Sequence, residues 1–418
     1  MKPLFRMSLC LAAGLLVAGP AVAQSLTAAQ ILDQFNVVVF GNYSGTNDVF
    51  GRAVVGGNLS SGTSFYTSPG SEAASTFAGL SVYGASTSTD NIAVDNGGGL
   101  TVAGLNSATF NLSGGGSVYI GGANSGNISN SGAAVTIGIK GNNSGTIQTG
   151  GSGGTVSING TGGWINGGTP SNTNVYLPNS ADNNETIQSA TIHYGTVSLT
   201  NPLASTNFTS TFKTPLTNLS TMLTGIDANS TVTTSGSTVT FNAAPNAQGQ
   251  AIFDISSSVL TAGNESIVFD ANGATTIVVN VTCGGTNCSI SLPSSTVFTS
   301  DTTYAADTIW NFYNASTLNF GSEFGGTVLA PDAAVTDGSP IDGDLIANSF
   351  SGSANLTSYP FVGNLSFPAP EPASITLIGI GLVGLILARH RSHKPARRSV
   401  ALANFILNGG PNGTRCAR

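Results

Sequence analysis

Three carboxylates late in the chain are the first candidates for metal chemistry. Asp337, Asp342 and Asp344 lie within the segment TDGSPIDGDLIA. Calcium takes six to eight oxygen ligands, so closely spaced aspartates in a loop can hold it. The spacing is not that of an EF-hand, and a Gly-x-Asp pattern is also typical of a plain turn. Calcium is therefore one hypothesis and an ordinary turn the other, and no other cofactor is expected.

Two cysteines form the second candidate pair. Cys283 and Cys288 lie in VTCGGTNCSISLP, where two strand-like runs flank a turn of Gly-Gly-Thr-Asn. In an exported chain this pattern predicts a disulfide that clamps a hairpin. A metal pair is the alternative, but no histidine or further cysteine lies nearby to complete such a site.

The sequence offers little for catalysis. His193, in ATIHYG, is the only histidine between residues 24 and 367, and no orienting carboxylate or nucleophile accompanies it in the sequence. The run GGSGG at 150–154 matches a nucleophile elbow formally, but that motif needs a following helix. We predict a protein that is not an enzyme. A polysaccharide lyase or hydrolase on a β-helix is the alternative, and a hydrolase would need two carboxylates facing a cleft.

The elements that must position these residues are predicted to be strands. Only 7% of the 418 residues are charged, against roughly 25% in an average domain, and 55 are glycines. The part between residues 24 and 367 has three basic and eighteen acidic residues, a net charge of −15. Such a surface repels nucleic acid and anionic lipid, while it is compatible with divalent cations and neutral polysaccharide.

Short strand patterns recur from residue 91 to 168. Pairs such as Val118 and Ile120, or Val156 and Ile158, alternate with small polar residues and end in Gly or Asn. Regular short strands fit a β-solenoid or a sandwich. The scarcity of large residues and the recurring Gly-Gly turns favour the solenoid.

Two segments carry helical spacing. Thr27 is a predicted N-cap for a short helix at 28–35. A helical insertion is predicted at about 183–226, with Pro215 interrupting it. Its apolar residues lie three or four apart: Phe208, Phe212, Leu216, Leu219 and Leu223.

Several motifs bracket residues 24–367: FNV at 35–37, the turn from Asp48 to Arg52, GGN at 56–58, WNF at 310–312, GTVLAP at 326–331 and GDLIA at 343–347. Together they resemble the choice-of-anchor A family of bacterial exported proteins. The resemblance implies an ice-binding-like adhesive domain. It also implies the fold, a mainly β, right-handed parallel β-solenoid with a helix packed alongside.

The first 23 residues are predicted to be a secretory signal peptide. Lys2 and Arg6 precede an apolar run at 7–18, and small residues lead to a cleavage site between Ala23 and Gln24. The mature chain is therefore expected outside the cytoplasm.

Pro370, Glu371 and Pro372 precede an apolar run at 373–388, and Arg389 and Arg391 open a basic cluster. In this order, residues 368–398 resemble a PEP-CTERM sorting signal. The run, a predicted transmembrane helix, is short for a permanent span, and the cluster places its end in the cytoplasm. The resemblance implies recognition by an exosortase-type enzyme, cleavage near the Pro-Glu-Pro, and release. Unlike the usual pattern, an atypical tail continues over 399–418.

Together these features predict an exported, non-catalytic protein of a Gram-negative bacterium. It is held transiently in the inner membrane and then reaches the cell surface or the extracellular (biofilm) matrix. An adhesive role toward cell-surface or matrix polysaccharide, including exopolysaccharide, is expected, with no nucleic-acid partner. An ice-binding adhesin is a further alternative, although the sequence shows no sustained T-x-T motif at a fixed period.

Overall fold

The structure, a computed structural model, describes residues 26–367 apart from positions 62, 169–171, 286 and 300–301. The chain divides into two units, Met1–Ser366 and Phe367–Arg418. The predicted signal peptide at 1–23, the sorting signal at 368–398 and the tail at 399–418 lie outside the described residues. Within the described part, no helix has the length and apolar character needed to cross a membrane.

The first part of the body is a succession of short strands that alternate between two sheets, A and B. These strands are β1 (Val37–Val39), β2 (Asp48–Val49), β3 (Ala53–Val55), β4 (Ser64–Phe65), β5 (Leu80–Val82), β6 (Asn91–Val94), β7 (Leu100–Val102), β8 (Thr109–Leu112), β9 (Val118–Ile120), β10 (Ile128–Asn130), β11 (Thr136–Ile139), β12 (Thr146–Thr149), β13 (Thr155–Ile158), β14 (Trp164–Asn166), β15 (Thr173–Leu177), β16 (Ile187–Gln188) and β17 (Ala190–Tyr194). Up to β16, odd-numbered strands belong to sheet A and even-numbered strands to sheet B; β17 pairs with β15 in sheet A.

The second part adds the remaining strands of both sheets and a small sheet C. They are β18 (Thr231–Ser235), β19 (Thr238–Asn242), β20 (Gln250–Ser256), β21 (Ser266–Asp270), β22 (Thr276–Thr282), β23 (Cys288–Leu292), β24 (Val297–Thr299), β25 (Thr308–Asn311), β26 (Ala315–Phe320), β27 (Phe324–Gly325), β28 (Thr327–Asp337), β29 (Ile341–Asp342), β30 (Leu345–Phe350) and β31 (Leu356–Thr357). Sheet C has the order β18-β19-β21-β24, and β18–β19 is the antiparallel pair in it.

The first strand lies in the middle of this stack and not at one end. Strand β1 lies between β3 and β30 in sheet A, and β2 lies between β4 and β31 in sheet B, all in parallel. The first part therefore winds outward from β1 to β17. The second part begins at the opposite end, near β20, and winds back until β30 and β31 reach the first coil. We call the junction of β1 and β2 with β30 and β31 the seam.

The interior is filled by columns of apolar side chains, and each coil contributes one side chain to a column. In sheet A, Leu100 pairs with Val118 and Val118 with Ile137, and all three are buried. Their equivalents in sheet B, such as Phe110 and Ile128, are buried as well. Because like side chains stack from coil to coil, narrow coils made largely of glycine and small polar residues still enclose a continuous apolar core.

The linker between the two parts runs along the outer surface of sheet A. Leu199 contacts the position of Gly138, and Phe208 packs on Tyr83 with ring centroids 5.2 Å apart. Further along, the Ser220 hydroxyl donates to Asn311 Oδ1 at 2.6 Å. The linker thus crosses the seam from the first part to the second.

The helices are few and short. They are α1 (Ala28–Gln34), α2 (Thr214–Leu223) and α3 (Ser258–Thr261), with 3-10 turns at Ser180–Asp182 and Ala305–Asp307 and a π-turn at Thr209–Lys213. Thr27 caps α1 as predicted, because its hydroxyl accepts from Gln30 N at 3.2 Å. Pro215 does not interrupt the insertion. It lies at the start of α2, where a missing N–H is tolerated, and the wider π-turn precedes it.

The parallel pairing confirms the predicted β-solenoid and rules out the sandwich for this part of the chain. The helical insertion is shorter than predicted, because its first residues still form β16 and β17. Helix begins only with the π-turn at Thr209–Lys213.

Candidate binding face

One surface of the solenoid is built by strict alternation of buried and exposed residues. Along 42–49, 123–130 and 142–149, every second side chain points into the core and the others face outward. Each of these segments runs from an isolated bridge, such as Asn124 to Asn143, directly into a strand of sheet B. The outward side chains therefore form one flat surface, the polar face.

The polar face carries a column of small polar residues that we call the hydroxyl row. Its members are Ser291, Asn319, Thr336, Ser351, Ser44, Ser60, Thr87, Ser107, Ser125 and Ser144, and all are exposed. Register places Asn319 beside Thr336, and the bridge between Tyr43 and Phe350 carries the row across the seam. Nine steps of about 4.8 Å give a row of about 43 Å.

Two further columns run beside the hydroxyl row on the first part of the solenoid. The middle row consists of Thr46, Asn91, Thr109, Asn127, Thr146 and Trp164, and the outer row of Asp48, Ser64, Ala93, Asn111, Ser129, Gln148, Asn166 and Gln188. Within a coil, neighbouring rows are two residues apart, or about 6.6 Å. Apart from Asp48, Ala93 and Trp164, the rows form a grid of hydroxyl and amide groups.

A ladder of buried asparagines lies under this grid. Asn106 Nδ2 donates to Asn124 Oδ1 at 2.7 Å, and Asn124 Nδ2 donates to Asn143 Oδ1 at 2.6 Å. Each amide also donates to the carbonyl two residues ahead, as Asn124 does to Gly126 O at 2.8 Å. All three side chains are 1% exposed. The ladder satisfies buried polar groups in a chain of bonds and fixes the spacing of the coils beneath the polar face.

The hydroxyls of the first part remain available to a ligand. Ser60, Ser107, Ser125 and Ser144 donate only long bonds of 3.4–3.5 Å to carbonyls of the preceding coil. In the second part the row is bonded to itself, for example from Thr336 Oγ1 to Asn319 Oδ1 at 2.9 Å. A strong hydrogen bond from a hydroxyl group is about 2.7 Å long. The row hydroxyls of the first part are therefore freer to bind a ligand than those of the second part.

The polar face is almost without charge. Asp48, next to the seam, is the one charged residue in the three rows of the polar face. Between Asp95 and Asp182 the only charged residue is Lys140, which follows β11 and lies outside the rows. This neutrality contrasts with the net charge of −15 on the body as a whole.

The predicted calcium ligands are engaged in separate places. Asp337 Oδ1 accepts from Ser353 N at 2.8 Å, and burial raises the pKa of Asp337 to about 6. Asp344 is fully buried and accepts from Phe361 N at 3.2 Å, and burial raises its pKa well above the ordinary value.

Asp342 completes the predicted trio, and it accepts from the Thr357 hydroxyl. Among residues that the structure describes, no group of three or more His, Cys, Asp or Glu side chains is placed to hold a metal ion. These contacts bring no cluster of calcium ligands together, and calcium binding stays a hypothesis.

Cys283 and Cys288 form a disulfide, with their Cα atoms 6.3 Å apart. The predicted hairpin around them is wrong. Strand β22 pairs with β20 and β25, whereas β23 pairs with β26, all in parallel. The disulfide therefore closes a corner between two successive arms of one coil, since a solenoid turns at its corners without pairing consecutive strands.

His193 and the cavities give no support to catalysis. His193 Nε2 lies 2.9 Å from Asn174 Oδ1, and the ring stacks on Tyr176 with centroids 4.7 Å apart. A cavity of about 540 Å³ between the linker and sheet A has no titratable side chain in its lining. Two others, of about 360 and 350 Å³, have one carboxylate each, Asp254 and Asp33. None of the three pairs two carboxylates.

Comparison with family models matches two segments of the chain. The family described as "Putative Ice-binding-like adhesive domain" matches residues 28–358, well over half of the chain. The chain belongs to this family. The PEP-CTERM protein-sorting motif matches residues 368–392, in the segment where that signal was predicted. Both predicted resemblances are confirmed.

A solved structure that aligns with this chain has only a weak likeness to it. A crystal structure of an ice binding protein from an Antarctic bacterium, Flavobacteriaceae, aligns with 82% of this chain and 100% of its own. The identity is 11% and the TM-score 0.22. No curated protein matches the chain.

Sequence reasoning missed the polar face, although a signal for it exists. NSATFN at 106–111, NSGNIS at 124–129 and NSGTIQ at 143–148 share a buried Asn, an exposed Ser and alternating burial. A search for T-x-T passes over them, because serine takes the first position and asparagine replaces threonine at Asn127.

Proposed function

We propose that this protein is an exported, non-catalytic surface or extracellular-matrix protein that adheres through its solenoid body. The observation that carries the proposal is the polar face, an extended grid of neutral hydrogen-bonding groups on a rigid scaffold. Family membership and the matched sorting motif support it. A broad flat face suits adhesion to a surface, whereas an enzyme needs a cleft around reacting groups.

Adhesion is tested on cells that produce the full chain with an epitope tag. We expect these cells, and the released protein, to bind polysaccharide-coated surfaces more than cells that lack it. Equal attachment by both cell types, on every polysaccharide and abiotic surface tried, would remove the adhesive role.

Delivery is proposed to depend on an exosortase-type enzyme that acts near Pro370, Glu371 and Pro372. The apolar run at 373–388 would hold the chain in the inner membrane, with Arg389 and Arg391 on the cytoplasmic side. Mass spectrometry of membrane and released fractions tests this, because processing leaves a mature C-terminus near residue 370. Recovery of Arg418 in the surface-exposed protein would contradict it.

The polysaccharide-active enzyme is the weaker alternative. Its requirement for two carboxylates at a cleft is not met by the three cavities described above. A screen of neutral and acidic glycans for new reducing ends or unsaturated products tests it, and we expect no release.

Ice binding is a second candidate that one observation favours. The hydroxyl row presents Ser and Thr at one-coil intervals on a flat surface, which is a regular array able to order water. Thermal hysteresis and ice-affinity partition of the purified chain measure this activity directly.

A further inference from the structure

We infer that the polar face is the ligand-binding surface, and that its ligand is an uncharged, hydroxyl-rich linear polysaccharide lying along the solenoid axis. The inference deepens the adhesive function proposed above and rests on it. It names the surface, the class of ligand and the direction in which the ligand lies.

Charge decides the class of ligand. A body of net charge −15 repels acidic glycans, and no cation lies in the three rows to offset that repulsion. Hydroxyl and amide groups each donate and accept, as do the hydroxyls of a neutral sugar. A neutral polysaccharide can therefore pair with this grid without leaving a buried charge on either side.

The periodicity of the rows indicates the direction in which the polysaccharide lies. Along a row the same chemistry returns at every coil, about 4.8 Å apart. Across the rows the chain meets Ser125, Asn127 and Ser129 in turn and then leaves the face at the next corner. A polymer with a short repeat finds equivalent partners over many coils only if it runs along the axis.

Trp164 gives the middle row an apolar contact. It pairs in register with Thr146 and is half-buried, so part of the indole stays exposed beside the polar grid. An aromatic ring with a polar edge suits the carbon-bound hydrogens of a sugar ring as well as its hydroxyls.

The face is organised before binding. The asparagine ladder fixes the backbone under the hydroxyl row, and serine and threonine side chains lose little rotamer freedom on binding. Weak individual contacts repeated over many coils can then add to useful affinity.

The test uses the full-length chain and variants in three matched groups. In the row variant, Ser107, Ser125 and Ser144 are changed to Ala. In the rescue variant the same three are changed to Thr, which keeps the hydroxyls. In the control, the exposed hydroxyls of Thr231, Thr234 and Ser235 on β18 are changed to Ala. Circular dichroism melting verifies that each variant is folded.

Binding is measured by affinity electrophoresis in gels with dextran, mannan, hydroxyethyl cellulose or alginate. We expect wild type to bind at least one neutral polymer and not alginate. The row variant should bind at least about tenfold more weakly, while the rescue and control variants stay within about threefold of wild type. Trp164→Ala should also weaken binding in a chain that keeps the three serines of the hydroxyl row.

Each of the other outcomes overturns one part of the proposal. If the row variant binds a neutral glycan as wild type does, the adhesive function stands, but the polar face is not the binding surface. If wild type binds alginate alone, the neutral class is wrong. If wild type binds no glycan but partitions into ice, ice is the occupant. If it binds neither glycan, ice nor any surface, the proposed adhesive function itself fails.

Discussion

The asparagine ladder gives the sharpest test of what holds the polar face together. Replacing Asn124 by Ala removes one bond from Asn106 at 2.7 Å and two bonds donated to Asn143 Oδ1 and Gly126 O at 2.6 and 2.8 Å. A neutral buried hydrogen bond contributes about 1 kcal/mol net, so the expected loss in unfolding free energy is about 3 kcal/mol. At roughly 2 cal/mol/K of unfolding entropy per residue, this lowers the melting temperature by about 4 °C.

The assay is urea unfolding followed by circular dichroism, with calorimetry for the melting temperature. Ser125→Ala is the matched control. It lies one residue away, is exposed and donates only a 3.4 Å bond, so it should change stability by less than about 0.5 kcal/mol. An Asn124→Ala loss below about 1 kcal/mol, or one equal to that of the control, would refute the ladder as a source of stability.

A double-mutant cycle separates the ladder from independent bonds. Asn143→Ala alone removes the partner of Asn124 Nδ2, and the double variant removes donor and acceptor together. Since neither the Asn124 N–H nor the Asn143 oxygen is then left unpaired at that step, the double variant should cost less than the sum of the single changes. Simple additivity would mean that the amides do not act as a connected ladder.

Three further predictions follow from single contacts. Burial raises the pKa of Glu72 to about 7, so its contribution is complete below its unfolded pKa of about 4.5. Arg52, 3.2 Å from the Glu72 carboxylate, limits the rise in its pKa. The stability contributed by protonated Glu72 is lost as pH rises through 7, and Glu72→Gln should flatten the pH profile of unfolding. Gly126→Ala should destabilise by about 1–3 kcal/mol, since its Cβ overlaps a carbonyl of the preceding coil. Gly285→Ala, in open space, should be nearly neutral by urea unfolding. Changing Cys283 and Cys288 to Ser should cost about 2 kcal/mol because the closed loop is short.

Sequence patterns were sufficient for the solenoid, because buried columns such as Leu100, Val118 and Ile137 repeat locally. They were insufficient where the fold depends on distant pairing. Nothing near Ser351 in the chain indicates that its neighbour in the hydroxyl row is Ser44, since the two become adjacent only when β30 closes on β1. The hairpin predicted at Cys283 failed for a related reason. A turn between two strands looks the same locally whether the strands pair with each other or with the coils above and below.

Pro215 shows the opposite error, in which a strong local rule was applied to the wrong position. A proline inside a helix breaks it, but at the first turn its missing N–H has no helical partner to lose. The apolar spacing of Phe212 and Leu216 was right, and only the start of the helix was misplaced.

The seam makes the polar face a property of the whole chain. Strands β1 and β2 have neighbours on both sides only because the second part winds back to them, so the continuity of the hydroxyl row depends on that closure. The linker supports this closure, because it packs on Tyr83 in the first part and bonds to Asn311 in the second. A ligand that lies along the axis and spans the seam contacts both parts together. Such a ligand stabilises the closed arrangement by binding only the state in which the row is continuous.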